Sequence, residues 1–355
     1  MSADKTSSPT GVDPRRYFEH AGSDLGVTAA SDPVCLYIET TNRCNLLCTT
    51  CPRTYEDMEP PADMSWELFT GIVDQFPAVP RVVLHGIGEP MLVRSLPRMI
   101  RYLKERGAYV LFNTNGTALT PKKGQQLIES GLDELRVSLD AADRASFKAV
   151  RGVDYFDRIV HYVRMFTKRQ RALGAERPRV SLWLTGLKET LDQLPAFIEL
   201  AHSLGVGEVY LQRLVYFPEG QGMAHPDSAL FENLTAAETG LLRAAEERAQ
   251  AHGIRFDASG ATEPGTSVKK GTGVQPWSLC RRPWTVMYFT AHGQALPCCI
   301  APFAVRGYEH ISLGDATQET LRAIWNGERY QALRKALMSD RPAASCANCG
   351  LRWSL

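Results

Sequence analysis

The sequence lacks a charge imbalance. Its 40 basic and 39 acidic residues leave a formal net charge of +1 over 355 residues. There is no basic field to attract nucleic acid or an anionic membrane. It also lacks any apolar run of about 18 residues or more, so no bilayer-spanning helix is expected. The opening stretch, MSADKTSSPTGVDPRRYFEH, has none of the apolar core a signal peptide needs and reads as a loose tail. A soluble, cytoplasmic protein is the expectation. A disulfide framework is missing as well. The nine cysteines are odd in number and lopsided, with three at 44–51, five from 280 onward and Cys35 alone. In a cytosolic chain such clusters bind metal or do chemistry, whereas Cys35, inside VCLYIE, reads as a buried core thiol. What remains is an ordinary globular composition, 44% hydrophobic, with length for one large domain and a smaller one, or for two medium domains.

From residue 34 to 256 a β-rich run followed by a helical run repeats. Strands are expected at 35–39, 81–85, 109–113, 134–139, 179–185 and 208–213, each rich in Val, Leu, Ile, Tyr or Phe. Helices are expected at 65–76, 94–106, 121–130, 155–173, 190–204 and 235–252. Thr120–Pro121 pairs an N-cap with a first-turn proline. Gly107, Gly131, Gly205 and Gly253 sit just past helix ends. The alternation implies right-handed βαβ units in a parallel sheet, an α/β fold. Six units are too few for the closed eight-stranded barrel. They predict an open, partial (βα)6 barrel with its site at the C-terminal strand ends.

The pattern then changes. Residues 258–279 are rich in Gly, Ser, Thr and Pro and read as a linker. A β-hairpin turning at His292–Gly293 is expected within 285–299, then an amphipathic helix at 317–338 with Leu321, Ile324, Trp325, Leu333 and Leu337 on one side. Three parts follow: a flexible tail (1–33), the partial barrel (34–256), and a linker with a small cysteine-rich domain (257–355). Small modules with weak cores lean on a metal centre.

CNLLCTTC (44–51) places Cys44, Cys48 and Cys51 in the loop after the first strand. Three thiolates hold three irons of a four-iron cluster and leave the fourth open, and an open position marks a catalytic metal site. This motif resembles that of the radical S-adenosylmethionine (SAM) enzymes. The resemblance covers residues 34–215 and implies a [4Fe–4S] cluster whose open iron chelates SAM. Reductive cleavage of SAM then gives a 5′-deoxyadenosyl radical that takes hydrogen from a substrate carbon, with electrons from an external donor such as flavodoxin or ferredoxin. HGIGEP (85–90) resembles the family's Gly-Gly-Glu-Pro segment, here Gly86, Ile87, Gly88, Glu89 and Pro90, whose backbone binds the methionyl amino group. NTNGT (113–117) resembles the SAM-contacting stretch after the third strand, with Asn113 and Asn115. SLDAADRASFKAVRG (138–152) resembles the segment that surrounds the ribose and carboxylate, which implies Ser138, Asp140 and Arg151. The family's apolar residue before the third cysteine is here Thr50; Tyr55 is the candidate to take its place beside the adenine.

Cys280, Cys298, Cys346 and Cys349 are spaced C-x17-C-x47-C-x2-C, which by itself reads as a four-thiolate site for zinc or an iron–sulfur cluster. With CRRPWTVMYFTAHGQALPCC and the LGD…IWN segment, the tail resembles the twitch module, the short form of SPASM, and implies one auxiliary [4Fe–4S] cluster. Cys299 is the spare thiol. Neighbours on an extended strand point opposite ways, and the family spacing favours Cys298 as ligand.

Inward-pointing residues at strand ends are candidates to hold the substrate: Glu39, His85, Trp183, Thr185, Gln212 and Arg213. Glu39 or His85 could take a proton, and Arg213 could pair with a carboxylate or phosphate. Only 33 residues precede the first strand, too few for the leader-binding domain of about 80 residues often found in peptide modifiers. A small molecule is therefore expected: a sugar, aminocyclitol or nucleoside-linked sugar undergoing oxidation, dehydration or decarboxylation, as of a nucleoside uronate in antibiotic assembly. The alternatives are modification of a ribosomal peptide or protein, and a non-enzymatic zinc-binding scaffold.

Overall fold

The computed structural model describes residues 25–231, 233–259, 264–268, 276–347 and 349. Residues 1–24 of the expected tail, and 260–263 and 269–275 of the expected linker, lie outside the described residues. Six strands fall where the apolar runs predict them: β1 (Cys35–Ile38), β2 (Arg81–Val83), β3 (Tyr109–Thr114), β4 (Glu134–Ser138), β5 (Arg179–Gly186) and β6 (Glu208–Arg213). β7 (Arg255–Ala258) extends the series beside β6. It lies in RFDA, where Arg255 and Asp257 interrupt the apolar run that announces the other strands.

Between the strands run α1 (Trp66–Val73), α2 (Leu96–Glu105), α3 (Pro121–Glu129), α4 (Arg144–Arg151), α5 (Phe156–Ala172), α6 (Leu194–Leu204) and α7 (Ala236–Ala251). Thr120 caps α3 as expected, its hydroxyl accepting from the Lys123 amide, and Gly205 ends α6 at φ 68°. α4 is an addition. Asp143 caps it by accepting from the Ala145 and Ser146 amides at 2.8 and 2.9 Å, and Gly152 ends it in the left-handed region at φ 74°.

The tail does not stand apart. Its hairpin, β8 (Val286–Phe289) and β9 (Gln294–Leu296), turns at Thr290–Gly293, and β8 pairs in parallel with β1. With β10 (Gly314–Asp315) the result is one open sheet in the order β10-β9-β8-β1-β2-β3-β4-β5-β6-β7, parallel from β8 to β7 and antiparallel at β9 and β10. The expected (βα)6 count becomes seven strands, and the tail supplies an eighth parallel neighbour. Residues 25–33 are packed rather than loose. Gly26, Val27 and Ser31 offer carbonyls to Trp284 Nε1 (2.7 Å), Arg334 Nη1 (3.2 Å) and Trp325 Nε1 (2.9 Å). The helix expected at 317–338 breaks into Leu321–Trp325 and Glu328–Leu337. At the break the Asn326 amide clasps the Ala29 backbone at 2.9 and 3.1 Å.

The sheet sorts its side chains by parity. Leu36 and Ile38 join the large core with Phe69, Ile72 and Met99, whereas Cys35 and Tyr37 face the other side with Val83, Leu111 and Tyr288. The strand register puts Asn113 beside Arg136, Ser138 beside Trp183 and Thr185 beside Gln212 on that same inner side. Deep in it lies a buried ionic cluster. Glu134 bonds Arg136 Nε at 2.7 Å and Tyr109 Oη at 3.2 Å, with Arg179 at 3.5 Å. Burial alone would raise the Glu134 carboxyl, but Arg136, Arg179 and Arg81 together hold it at about 2. This ionic floor lies toward the N-terminal strand ends, and the inner cavity lies toward the C-terminal ones. Among the described residues no helix is long and apolar enough to cross a membrane.

Candidate active site

The loop after β1 carries Cys44, Cys48 and Cys51, all half-buried. It is pinned by its neighbours. The Thr49 amide and hydroxyl both donate to the Val150 carbonyl at the end of α4, at 2.8 and 3.0 Å, and the Met223 amide donates to Thr49 O at 2.9 Å. Among the described residues two side-chain donors reach the loop's sulfurs: Arg151 Nη1 lies 3.6 Å from Cys48 Sγ, and Asn115 Nδ2 lies 3.8 Å from Cys44 Sγ. Burial, with the neighbouring Cys48, pushes the Cys51 thiol up to about 12; burial also raises Cys44. Three adjoining thiols, of which burial raises Cys44 and Cys51, are a fitting donor set for a positively charged metal cluster. Among the described residues no three His, Cys, Asp or Glu side chains close around a point the size of one ion, and a four-iron cube asks for more room than that.

The loop after β2 is braced from below and beside. A Cβ at Gly88 would stand 2.1 Å from Thr41 O, so the two backbones touch. The Glu89 amide donates to Arg43 O at 2.8 Å. The Glu89 carboxylate accepts from the Met91 amide (3.0 Å), the Thr114 hydroxyl (2.7 Å) and the Asn115 amide (2.6 Å). Burial raises this carboxyl, and those three donors oppose the rise. Asn115 then passes the contact to Cys44. On the other flank, Asp140 sits at φ 62°, rare for a residue with a side chain. It accepts from the Thr185 amide at 2.6 Å and pairs with Arg151 Nη2 at 2.6 Å, so Arg151 bridges Asp140 and Cys48. Burial works against the Arg151 charge, but Asp140 and the Cys48 and Cys44 sulfurs keep it protonated.

Of the residues expected to contact SAM, the structure brings Gly88, Glu89, Asn115, Asp140 and Arg151 into one network with the cysteines, and Gly86 lies against Glu39. Asn113 and Ser138 stand on the inner side of β3 and β4. Tyr55 does not join them. It follows a short turn at Pro52–Thr54, is 45% exposed, and lays its hydroxyl against Gly222. Thr50 is the residue that lines the inner cavity.

That cavity opens at the C-terminal strand ends. His85, Asn113, Trp183, Thr185, Gln212 and Arg213 line it, as do the spare thiol Cys299 and three residues not expected there, Tyr37, Arg136 and Phe303. Arg136 had a signal: ELRVSL alternates polar and apolar, so one side of β4 is polar although buried. Burial, then the Arg136 charge, lowers His85 to about 4, and its Nδ1 is buried without a hydrogen-bond partner among the described residues. Trp183 stacks on Tyr210 with centroids 3.9 Å apart. Arg213 donates to Ser267 O at 2.9 Å and lies over the Phe231 ring. Glu39 is absent from the lining. It is fully buried beneath Gly86, its oxygens accepting from the Ile87 amide (2.7 Å), the Tyr288 hydroxyl (3.1 Å) and the Ala291 amide (3.1 Å).

In the tail, Cys280, Cys298, Cys346 and Cys349 feel one another. Burial raises Cys346 and Cys298, with Cys298, Cys280 and Cys349 adding to Cys346. Cys299 turns the other way. It takes a hydrogen bond from Tyr37, faces the inner cavity, and is pushed up to about 12 by burial. Residues adjacent in sequence thus face two different sites.

Comparison with known proteins agrees with this geometry. Residues 38–201 match the radical SAM superfamily and residues 280–350 match the SPASM iron–sulfur cluster-binding domain. The chain is 26% identical to the tungsten-containing aldehyde ferredoxin oxidoreductase cofactor-modifying protein of Pyrococcus furiosus, over 89% of this chain and 87% of that protein. It is 27% identical to the PqqA peptide cyclase of Streptomyces rochei, over 90% of this chain and 82% of that one. Its fold is similar to that of Streptococcus suis SuiB bound to S-adenosylmethionine, with a TM-score of 0.64 at 16% identity over 89% of this chain and 72% of that one. The chain is a radical SAM enzyme, a radical SAM domain joined to a C-terminal SPASM domain, whose cofactors are a [4Fe–4S] cluster with S-adenosylmethionine and an auxiliary iron–sulfur centre.

Proposed function

We propose that the enzyme modifies a peptide or protein, taking hydrogen from a residue seated in the inner cavity. The carrying observation is the lining of that cavity. It includes Thr50, next to Cys51, and Cys299, next to Cys298, so a substrate held there lies between the two cysteine sets. A relative named as a peptide cyclase, alike over 90% of this chain, supports the peptide over the sugar or nucleoside expected from the sequence. Cys44, Cys48 and Cys51 are assigned to the SAM cluster and Cys280, Cys298, Cys346 and Cys349 to the auxiliary one. When bound, the cluster with SAM supplies a 5′-deoxyadenosyl radical. The backbone of Gly86–Glu89 and the side chains of Asn113, Ser138 and Asp140 are assigned to hold and orient SAM.

Within the cavity Arg136 and Arg213 orient polar groups of the substrate, and Trp183 walls one side. His85 is neutral at ordinary pH, with an open ring nitrogen in a low-dielectric pocket, which suits it to receive the proton a substrate loses on oxidation. Glu39, occupied by three donors, is not a candidate base.

The test is anaerobic reconstitution with iron and sulfide analysis, then dithionite, SAM and short precursor peptides encoded near the gene. The expected result is about eight irons per chain, 5′-deoxyadenosine formation abolished by Cys48→Ala, and a mass change in a peptide. Turnover of a nucleoside-linked sugar with no peptide changed would return the sugar reading. Zinc in place of iron would overturn both.

A further inference from the structure

We infer that Glu39 is a positioning residue that locks the SAM-binding loop to the SPASM hairpin. Its carboxylate is the meeting point of three chain segments. One oxygen accepts from the Ile87 amide, in the loop after β2, at 2.7 Å and from the Tyr288 hydroxyl, on β8, at 3.1 Å; the other accepts from the Ala291 amide, in the β8–β9 turn, at 3.1 Å. The Glu39 amide itself donates to Phe289 O at 2.9 Å. The fit is close: a Cβ at Gly86 would stand 2.1 Å from Glu39 Oε2, so the loop lies directly on the carboxylate. Glu39 and Ile87 belong to the radical SAM domain and Tyr288 and Ala291 to the SPASM domain. The loop that presents backbone to the cofactor is thus held by a charge whose other contacts are in the tail. A carboxylate accepts from all three donors at once. A neutral amide at the same place must turn its NH2 toward a donor.

The ionisation of Glu39 fits this role. Burial raises it to about 7, and the Ile87 and Ala291 amides pull it down. The titratable groups facing it are Tyr288 and Tyr308 from the tail and Glu59 from the loop after β1. Protonation would make one oxygen a donor, so the carboxyl could no longer accept from all three groups at once. Grip on the loop, and with it SAM affinity, is therefore expected to fall as pH drops through about 7.

The inference rests on reading the 86–90 loop as SAM-binding, and the test separates the two. SAM dissociation constants are measured on fully reconstituted wild type, Glu39→Gln, Tyr288→Phe and Gly88→Ala, with iron counted in each. Amide hydrogen exchange over 86–88 and 289–292 is followed in the same proteins without SAM. Glu39→Gln is expected to keep its iron, weaken SAM about 10- to 100-fold, speed exchange in both segments, and lose the pH dependence near 7. Tyr288→Phe, a milder change that keeps the fold, is expected to weaken SAM about threefold to tenfold with faster exchange at 86–88. Unchanged SAM affinity in Glu39→Gln and Tyr288→Phe while Gly88→Ala loses it would overturn the Glu39 role alone. No effect in any of the three would overturn the loop reading itself, and the role with it.

Discussion

Gly88→Ala adds one methyl group where two backbones touch. The new Cβ would stand 2.1 Å from Thr41 O and 2.7 Å from Arg43 O, against an ordinary contact of 3.4 Å or more. Neither neighbour is a flexible side chain, so the loops after β1 and β2 must part by about 1 Å to restore contact distance. Arg43 O is also the acceptor for the Glu89 amide at 2.8 Å, and Glu89 in turn holds Asn115, which reaches Cys44. The displacement therefore spreads to the cluster loop. Overpacking costs about 1–3 kcal/mol and the stretched hydrogen bond about 1 kcal/mol more. A misplacement of about 1 Å in a reacting assembly costs roughly 100-fold in rate. Gly88 is not among the glycines at positive φ, so backbone strain is not the cause. Gly253→Ala is the control: that position is at φ 64° with nothing within 4 Å of the added methyl, so it should lose about 1 kcal/mol of stability and no activity. The assay is the initial rate of 5′-deoxyadenosine formation at saturating SAM, normalised to iron. A Gly88→Ala enzyme within twofold of wild type, with iron intact, would refute the packing argument.

Three further outcomes are expected. Arg151→Met strands the buried Asp140 carboxylate and removes a donor from Cys48, so the melting curve should report a loss of about 3–5 kcal/mol and redox titration a more negative cluster potential; an unchanged melting temperature would count against the Asp140–Arg151 pair. Cys298→Ser should lose about four irons per chain while Cys299→Ser keeps about eight, and the reverse would exchange their roles. His85 falls from 6.5 unfolded to about 4 folded, so its contribution to stability is fully present above 6.5 and lost as pH falls toward 4. The unfolded chain binds the proton first, and the loss is at most about 3 kcal/mol. In denaturant titrations across that range His85→Gln should flatten this slope, and an unaltered slope would place the titration elsewhere.

The radical SAM chemistry was legible because it is local. Three thiols within eight residues, and HGIGEP after a strand, need no long-range contact to be recognised. Elements with weak local signals are not legible in the same way. RFDA has two charges in four residues, and the α4 helix begins inside a stretch already explained by its ligand-like residues. Tyr55 was a reasonable aromatic substitute, but its place is decided by the turn at 52–54 and by Gly222, which lies far along the chain.

The sequence by itself determined the alternation of strands and helices, the caps that bound them, and two sets of cysteines at metal-binding spacing. Period, propensity and spacing act over a few residues and leave their mark there. Only the tertiary structure decided that β8 would pair with β1 and make the tail continuous with the barrel sheet. It likewise decided that Cys298 would face Cys280 and Cys346 while Cys299 faces the cavity, and that Glu39 would stop at a loop and a hairpin instead of the substrate space. These outcomes depend on which distant segments share a buried volume and which donors a buried charge must satisfy. Neither is written in any short stretch of the chain.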